Sequence, residues 1–264
     1  MPFILAASAA GALPQIAITN SMTWVPPQDG NICIHLIGGG GAGTGSTSSN
    51  NSSGGAGGYC KKNSLAVTTS GSFTIVVGAG GLPNGGAGGN TTVAGTGLSS
   101  TLTANGGAGG VNDSNNAAGG TAANGDVNNT GGAAGGAGGG AVGIYGTGDA
   151  GDDGNYFNAG VSDSISSTFG LEHGYGYIAG GVPGQFGGGY DKQPGTQDGI
   201  ALAGPLSGAG MGFAGPNQAD QRGYTFAGQA SIGGGGGGSR NYESSGNARS
   251  GKGGEGIVLI HYLP

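Results

Sequence analysis

Six consecutive glycines at residues 233–238, followed by Ser239-Arg240, set the terms on which this chain can fold. A run without side chains has no apolar surface to withdraw from water. It offers only backbone donors and acceptors, and very close approach. Two states suit it. One is a flexible linker, the usual condition of Gly/Ser-rich sequence. The other is a polyglycine II rod, a left-handed extended helix with about three residues per turn and a rise of about 3.1 Å. A rod points every N–H and C=O outward, so it needs neighbours of its own kind to pair with them.

Such neighbours recur along the chain. Glycine supplies 71 of the 264 residues, and further runs occur at 38–41, 54–58, 78–81, 85–89, 106–110, 131–140 and 251–256. They follow no fixed period, which argues against a solenoid, and no every-third-residue rule, which excludes collagen. Between them lie β-like segments: 16–19, 22–25, 32–37, 73–77, a weaker one at 98–103, and 257–262. Residues 65–67 and 73–77 flank Thr69-Ser70-Gly71 and read as a hairpin. In 32–37, Ile32, Ile34 and Leu36 share one face, and the strand runs directly into glycine. The final segment, 257–262, is as apolar as that first long one, so the two are expected to pair and bring the ends of the chain together. On that scheme the hexaglycine lies inside the fold, at the centre of the rods.

The expected fold is all-β: a small antiparallel β-sandwich base carrying a bundle of polyglycine II helices and irregular loops, with almost no α-helix. Residues 1–20 read as an N-terminal docking arm and 21–264 as a single glycine-rich domain. The first ten residues end in an Ala-x-Ala pattern like that of a signal peptide, but without a basic residue, so Phe3, Ile4 and Leu5 are read as apolar anchors for a partner. Residues 141–230 have a different character. They hold 11 of the 17 aromatic residues, namely Tyr145, Tyr156, Phe157, Phe169, Tyr175, Tyr177, Phe186, Tyr190, Phe213, Tyr224 and Phe226. Aromatics on glycine-braced loops can form a recognition surface or cap the rods as a satellite apolar cluster.

Charged residues make up 8% of the chain, and its formal net charge is −6. No basic stripe is present to bind nucleic acid, and no apolar run is long enough to span a membrane. Cys33 and Cys60 permit one disulfide without requiring it. Gly38-x-Gly40-x-x-Gly43 imitates a dinucleotide fingerprint, but no helix signal follows and no acidic residue occurs between Asp29 and Asp113. The run from Gly246 to Gly251-Lys252 imitates a phosphate loop, with Gly253 where a hydroxyl should stand; Lys252 reads as a solvated charge. Asp149, Asp152 and Asp153 lack the spacing of a calcium loop. His35 and His261 fall on the two strands expected to pair and read as satisfied sheet residues. No nucleophile–base–orienter set can be assembled. The chain is accordingly expected to be no enzyme, with no cofactor and no metal.

Trp24-Val25-Pro26 with Gly30, the strand entering glycine, Gly57-Gly58-Tyr59, the Ile75-to-Gly81 strand end and terminal Gly256-Ile257-Val258-Leu259-Ile260 occur in that order. This set resembles the glycine-rich domain of many bacteriophage virion proteins. It is also similar to the extracellular glycine-rich domain of anaplastic lymphoma kinase type receptors and to the glycine-rich half of T-even phage long-tail-fibre adhesins. The resemblance implies a phage virion surface protein, a receptor-binding adhesin or tail-fibre tip whose loops recognise a host cell-surface protein or glycan. The arm would then attach it to a fibre, tail or capsid component, on virions assembled in the host cytoplasm. Two alternatives are a structural decoration or fibre protein, and an ice- or polysaccharide-binding protein.

Overall fold

In a computed structural model of the protein, the described residues are 3–5, 15–46, 54–111, 117–134, 191–192, 212–214, 225–226, 233, 235, 239–240, 248–249 and 251–264. The described residues form seventeen strands, the longer of them drawn from segments carrying Ile, Val, Leu and Thr, with side chains that alternate in and out as in FTIV at 73–76. In order these are β1 (Phe3–Leu5), β2 (Gln15–Ile18), β3 (Met22–Trp24), β4 (Gly30–Ile37), β5 (Gly45–Ser46), β6 (Tyr59–Val67), β7 (Phe73–Val76), β8 (Thr91–Gly95) and β9 (Leu102–Ala104). They continue with β10 (Ala122–Ala123), β11 (Val127–Asn129), β12 (Asp191–Lys192), β13 (Gly212–Ala214), β14 (Thr225–Phe226), β15 (Ser239–Arg240), β16 (Ala248–Arg249) and β17 (Ile257–Tyr262). The described residues contain no helix, and the fold is all-β.

Two antiparallel sheets form the base. One has the order β1-β2-β17-β4-β6-β11 and the other β10-β9-β8-β7-β3. As expected, the first long strand and the last one pair, with Ile34 opposite Ile260 and Leu36 opposite Val258. Ile18, Ile32, Ile34, Leu36, Val258 and Ile260 from the first sheet pack with Trp24, Phe73, Ile75, Val93 and Leu102 from the second. Each such side chain, fully buried, stabilises the fold by about 1.5–3 kcal/mol. Trp24 and Phe73 meet with ring centroids 5.5 Å apart.

The expected hairpin across Thr69-Ser70-Gly71 does not form. Val67 pairs with Gly30 in the first sheet, whereas Phe73 pairs with Trp24 and Gly95 in the second. The turn is a crossover, held where Asp29 accepts a 2.7 Å hydrogen bond from the Thr69 amide. Leu65 and Val67 thereby enter the common core from one side, and Phe73 and Ile75 from the other. A hairpin would have placed all four on one sheet.

One end of the sandwich gives rise to the rods. Ile37 at the end of β4 lies opposite Tyr59 and Ile257, which begin β6 and β17; in the second sheet Thr91 lies opposite Ala104, which in turn faces Ala122. Glycine runs extend from these strand ends. Along residues 38–43 the donors turn through three neighbours in succession. Gly38 and Gly41 bond to Gly58 and Gly55 (2.9 and 2.8 Å), Gly39 and Ala42 to Gly89 and Gly86 (2.9 and 2.8 Å), and Gly40 and Gly43 to Gly254 and Gly251 (2.8 and 3.1 Å). Partners that repeat every third residue are the mark of polyglycine II.

The surrounding rods also bond to one another. Gly55 donates to Ala108, Gly88 to Gly107, Gly89 to Ala79, Gly253 to Gly81, Gly233 to Glu255 and Gly57 to Gly233. These links close a ring of six runs around residues 38–43. Residues 117–121 and 131–134 extend the lattice beyond it, through Ala108→Ala118, Gly120→Ala56, Gly131→Gly120 and Ala134→Ala117.

The central rod is therefore 38–43, not the hexaglycine. Within 233–238 the described residues are Gly233 and Gly235, both buried, and Gly233 belongs to the ring. Rods of similar composition are sorted by the strands they adjoin: 38–43 prolongs β4, which lies between β17 and β6, and so emerges between the runs 251–256 and 54–58 that lead into those strands. The same run was the apparent dinucleotide fingerprint, and it serves as a lattice axis.

Candidate functional site

Strand alternation divides β4 between two environments. Ile32, Ile34 and Leu36 face the core, leaving Cys33, His35 and Ile37 on the outer face of the six-stranded sheet. The register places His261 of β17 opposite Cys33, and Lys61 of β6 opposite His35. Tyr59, two residues before Lys61, shares that face and packs with Ile37 and Ile257.

These side chains form a polar cluster. The Cys33 sulfur lies 3.4 Å from His35 Nε2, and His35 Nδ1 shares a 2.7 Å hydrogen bond with the Tyr59 hydroxyl. The His35 and His261 rings lie 5.2 Å apart between centroids, tilted by 32°. One donor atom from each of Cys33, His35 and His261 falls within 4.8 Å of the other two. Cys33 and Tyr59 are buried, while the two histidines are half-buried.

Burial sets the protonation states here. Desolvation, with His261 and Lys61 adding to it, draws His35 down to about 4, so it is neutral near pH 7. His261 is lowered by burial and then by Lys61. Burial raises the Cys33 thiol, against the opposing pull of Lys61, and it raises the Tyr59 phenol. Cys60 lies on the other side of its sheet, in the core, where burial pushes it up to about 11. Its thiol donates to the Ala123 carbonyl at 3.4 Å. Both cysteines are free; opposite faces of a sheet cannot be joined by a disulfide.

A second feature is the end of the lattice remote from the base. At the turn between rods 78–81 and 85–89, Leu82 is 70% exposed, and Val111 at the end of rod 106–110 is 55% exposed. Lys252, expected to be a solvated charge, forms an ion pair with Glu255, whose other carboxylate oxygen accepts from the Gly80 amide at 2.8 Å.

Of the aromatic residues nominated for recognition, Phe213 lies on β13, which pairs in parallel with β12 and β15. Phe226 lies on β14, which pairs in parallel with β16. Tyr145, Tyr156, Phe157, Phe169, Tyr175, Tyr177, Phe186, Tyr190 and Tyr224 lie outside the described residues, as does the Asp149–Asp153 stretch. Phe3, Ile4 and Leu5 form the edge strand β1, in register with Ala17, Ile16 and Gln15 of the same chain. The grouping of Cys33 and Tyr59 with the histidines escaped the sequence reading. Its signal was Cys-x-His on a strand whose other face is wholly aliphatic.

The model of a family described as a glycine-rich domain matches residues 17–263. No curated protein matches the chain.

Proposed function

The chain belongs to the glycine-rich domain family, and from that premise we propose that it is a bacteriophage virion surface protein, a receptor-binding adhesin or tail-fibre tip that binds rather than catalyses. The observation that supports this reading is the polarity of the scaffold. The rods leave the sandwich from one end, and Leu82 and Val111 stand exposed where described rods finish. A hydrogen-bonded lattice holds the backbone that carries Leu82 and Val111, which lowers the ordering cost of binding there. Exposed apolar residues at such a tip supply contact area, and the aromatics of 141–230 are its expected complement.

Purified chain should compete with the parent particle for adsorption to host cells. Competition should weaken at least tenfold when Tyr175, Tyr177 and Tyr190 are changed together to Ala, and less when Leu82 is changed to Ser. Undiminished competition by both variants would refute the recognition role. Particles that lack residues 141–230 yet adsorb normally would indicate a structural decoration protein instead.

A further inference from the structure

We propose that Cys33, His35 and His261 form a divalent-metal site of borderline-soft preference, suited to Zn²⁺, on the outer face of the six-stranded sheet. A thiolate and two imidazoles are a zinc-type donor set, and three protein ligands leave one position for water or a further donor. The geometry is close to that needed. A tetrahedral ion with Zn–S near 2.3 Å and Zn–N near 2.05 Å separates sulfur from nitrogen by roughly 3.5 Å, and Cys33 Sγ lies 3.4 Å from His35 Nε2. The widest separation among the three donors is at most 4.8 Å, which a small rotation of half-buried His261 would close.

The surroundings favour ligation by these atoms. Tyr59 engages His35 Nδ1 at 2.7 Å, fixing the ring with Nε2 towards the sulfur; a hydrogen-bonded second nitrogen is the usual support of a metal-bound histidine. The tyrosine hydroxyl accepts from Nδ1–H in that state, leaving the Nε2 lone pair for the ion. Two paired strands of the sandwich carry the ligands, so the site is built on rigid backbone. Lys61 faces His35 and opposes a cation; the thiolate offsets it, because binding transfers the Cys33 proton to solvent as the sulfur–metal bond forms.

The test is Co²⁺ and Zn²⁺ titration of the full chain. One Co²⁺ per chain should bind with intense tetrahedral d–d bands and a thiolate-to-cobalt charge-transfer band, and Zn²⁺ should displace it. His261→Gln should weaken Zn²⁺ binding by about tenfold or more. Cys33→Ala should abolish the charge-transfer band, while Cys60→Ala should retain it. Tyr59→Phe, which keeps the ring packing, should weaken binding by a smaller factor. A wild-type chain without the charge-transfer band would overturn the proposal. So would a band that survives Cys33→Ala, or Zn²⁺ affinity unchanged in folded His261→Gln.

Discussion

The β base and the polyglycine lattice are two solutions to the same problem in one chain. The base buries large side chains, Phe73, Ile34, Leu36 and Ile260 among them, and its backbone pairs in two directions only, within each sheet. The lattice buries almost nothing but backbone. About the central rod its groups pair in three directions, and at many of its glycines the next rod lies so close that a methyl group finds no room. A Cβ built on Gly41 would overlap the Ala108 carbonyl, and one on Gly38 the carbonyl of Asn105. Side chains therefore specify the base, whereas their absence specifies the lattice. The two should respond to mutation in opposite ways: the base loses stability when atoms are removed, the lattice when they are added.

The sharpest test of this contrast is Gly41→Ala. The added methyl meets fixed backbone, not a movable side chain, and the loss should be about 4 kcal/mol or more, among the exceptional values for one substitution. Denaturant unfolding would measure it, and a cost near zero would mean that the rods can part. Phe73→Ala, the matching deletion in the base, should cost about 3–4 kcal/mol through lost transfer energy and a cavity. Gly233→Ala comes next. Its φ of +70° is costly for a side chain, but the obstruction is the Cγ2 methyl of Ile37, so about 2 kcal/mol is expected, and the loss should be less than additive with Ile37→Ala, which removes that methyl. Ile260→Val should cost about 1 kcal/mol.

The smallest effect belongs to the rim. Asp126 accepts from Lys62 Nζ at 2.8 Å and from the Asn63 amide at 2.7 Å, and these hydrogen bonds, Lys62 first, hold its carboxyl below the usual value. A folded-state pKa below the unfolded one adds stability above the unfolded value, about 4, and that stability fades as pH falls through the folded value. Asp126→Asn should remove this part of the acid sensitivity. At an exposed ion pair the change should stay below about 1 kcal/mol, read as a smaller difference between melting temperatures at pH 6 and pH 3.

Much of the base was legible because side chains write it. The period-two pattern of Ile32, Ile34 and Leu36, matched by Val258 and Ile260, predicted the central strand pair, and the register bears it out. Weaker patterns were missed. Thr91–Gly95 is not among the segments with a β-like pattern, yet it is a strand with Thr91 and Val93 fully buried, because position within the sandwich overrides a poor apolar signal. The hairpin across Thr69-Ser70-Gly71 was misjudged because local turn chemistry cannot distinguish a return within one sheet from a crossing to another. Residues 117–121 went unrecognised as a rod since Ala117, Ala118 and Thr121 dilute the glycine, although the lattice accepts methyl groups wherever they point into gaps, as at buried Ala117. Of the metal-type cluster, only the closeness of His35 and His261 was foreseen. Cys33 joins them through the register, and Tyr59 through a strand that begins only where a rod ends.

The sequence alone determined that this chain is all-β, that its glycine runs must pair with one another, and that its two most apolar strands meet. Backbone hydrogen-bonding capacity and apolar alternation leave little else open. Which rod lies at the centre was decided only by the tertiary structure. Glycine carries no side chain to encode a register, and the hexaglycine and residues 38–43 differ as local sequence only by the methyl group of Ala42. The central place of 38–43 follows from β4, which it prolongs and which lies between β17 and β6, the strands that the flanking runs enter.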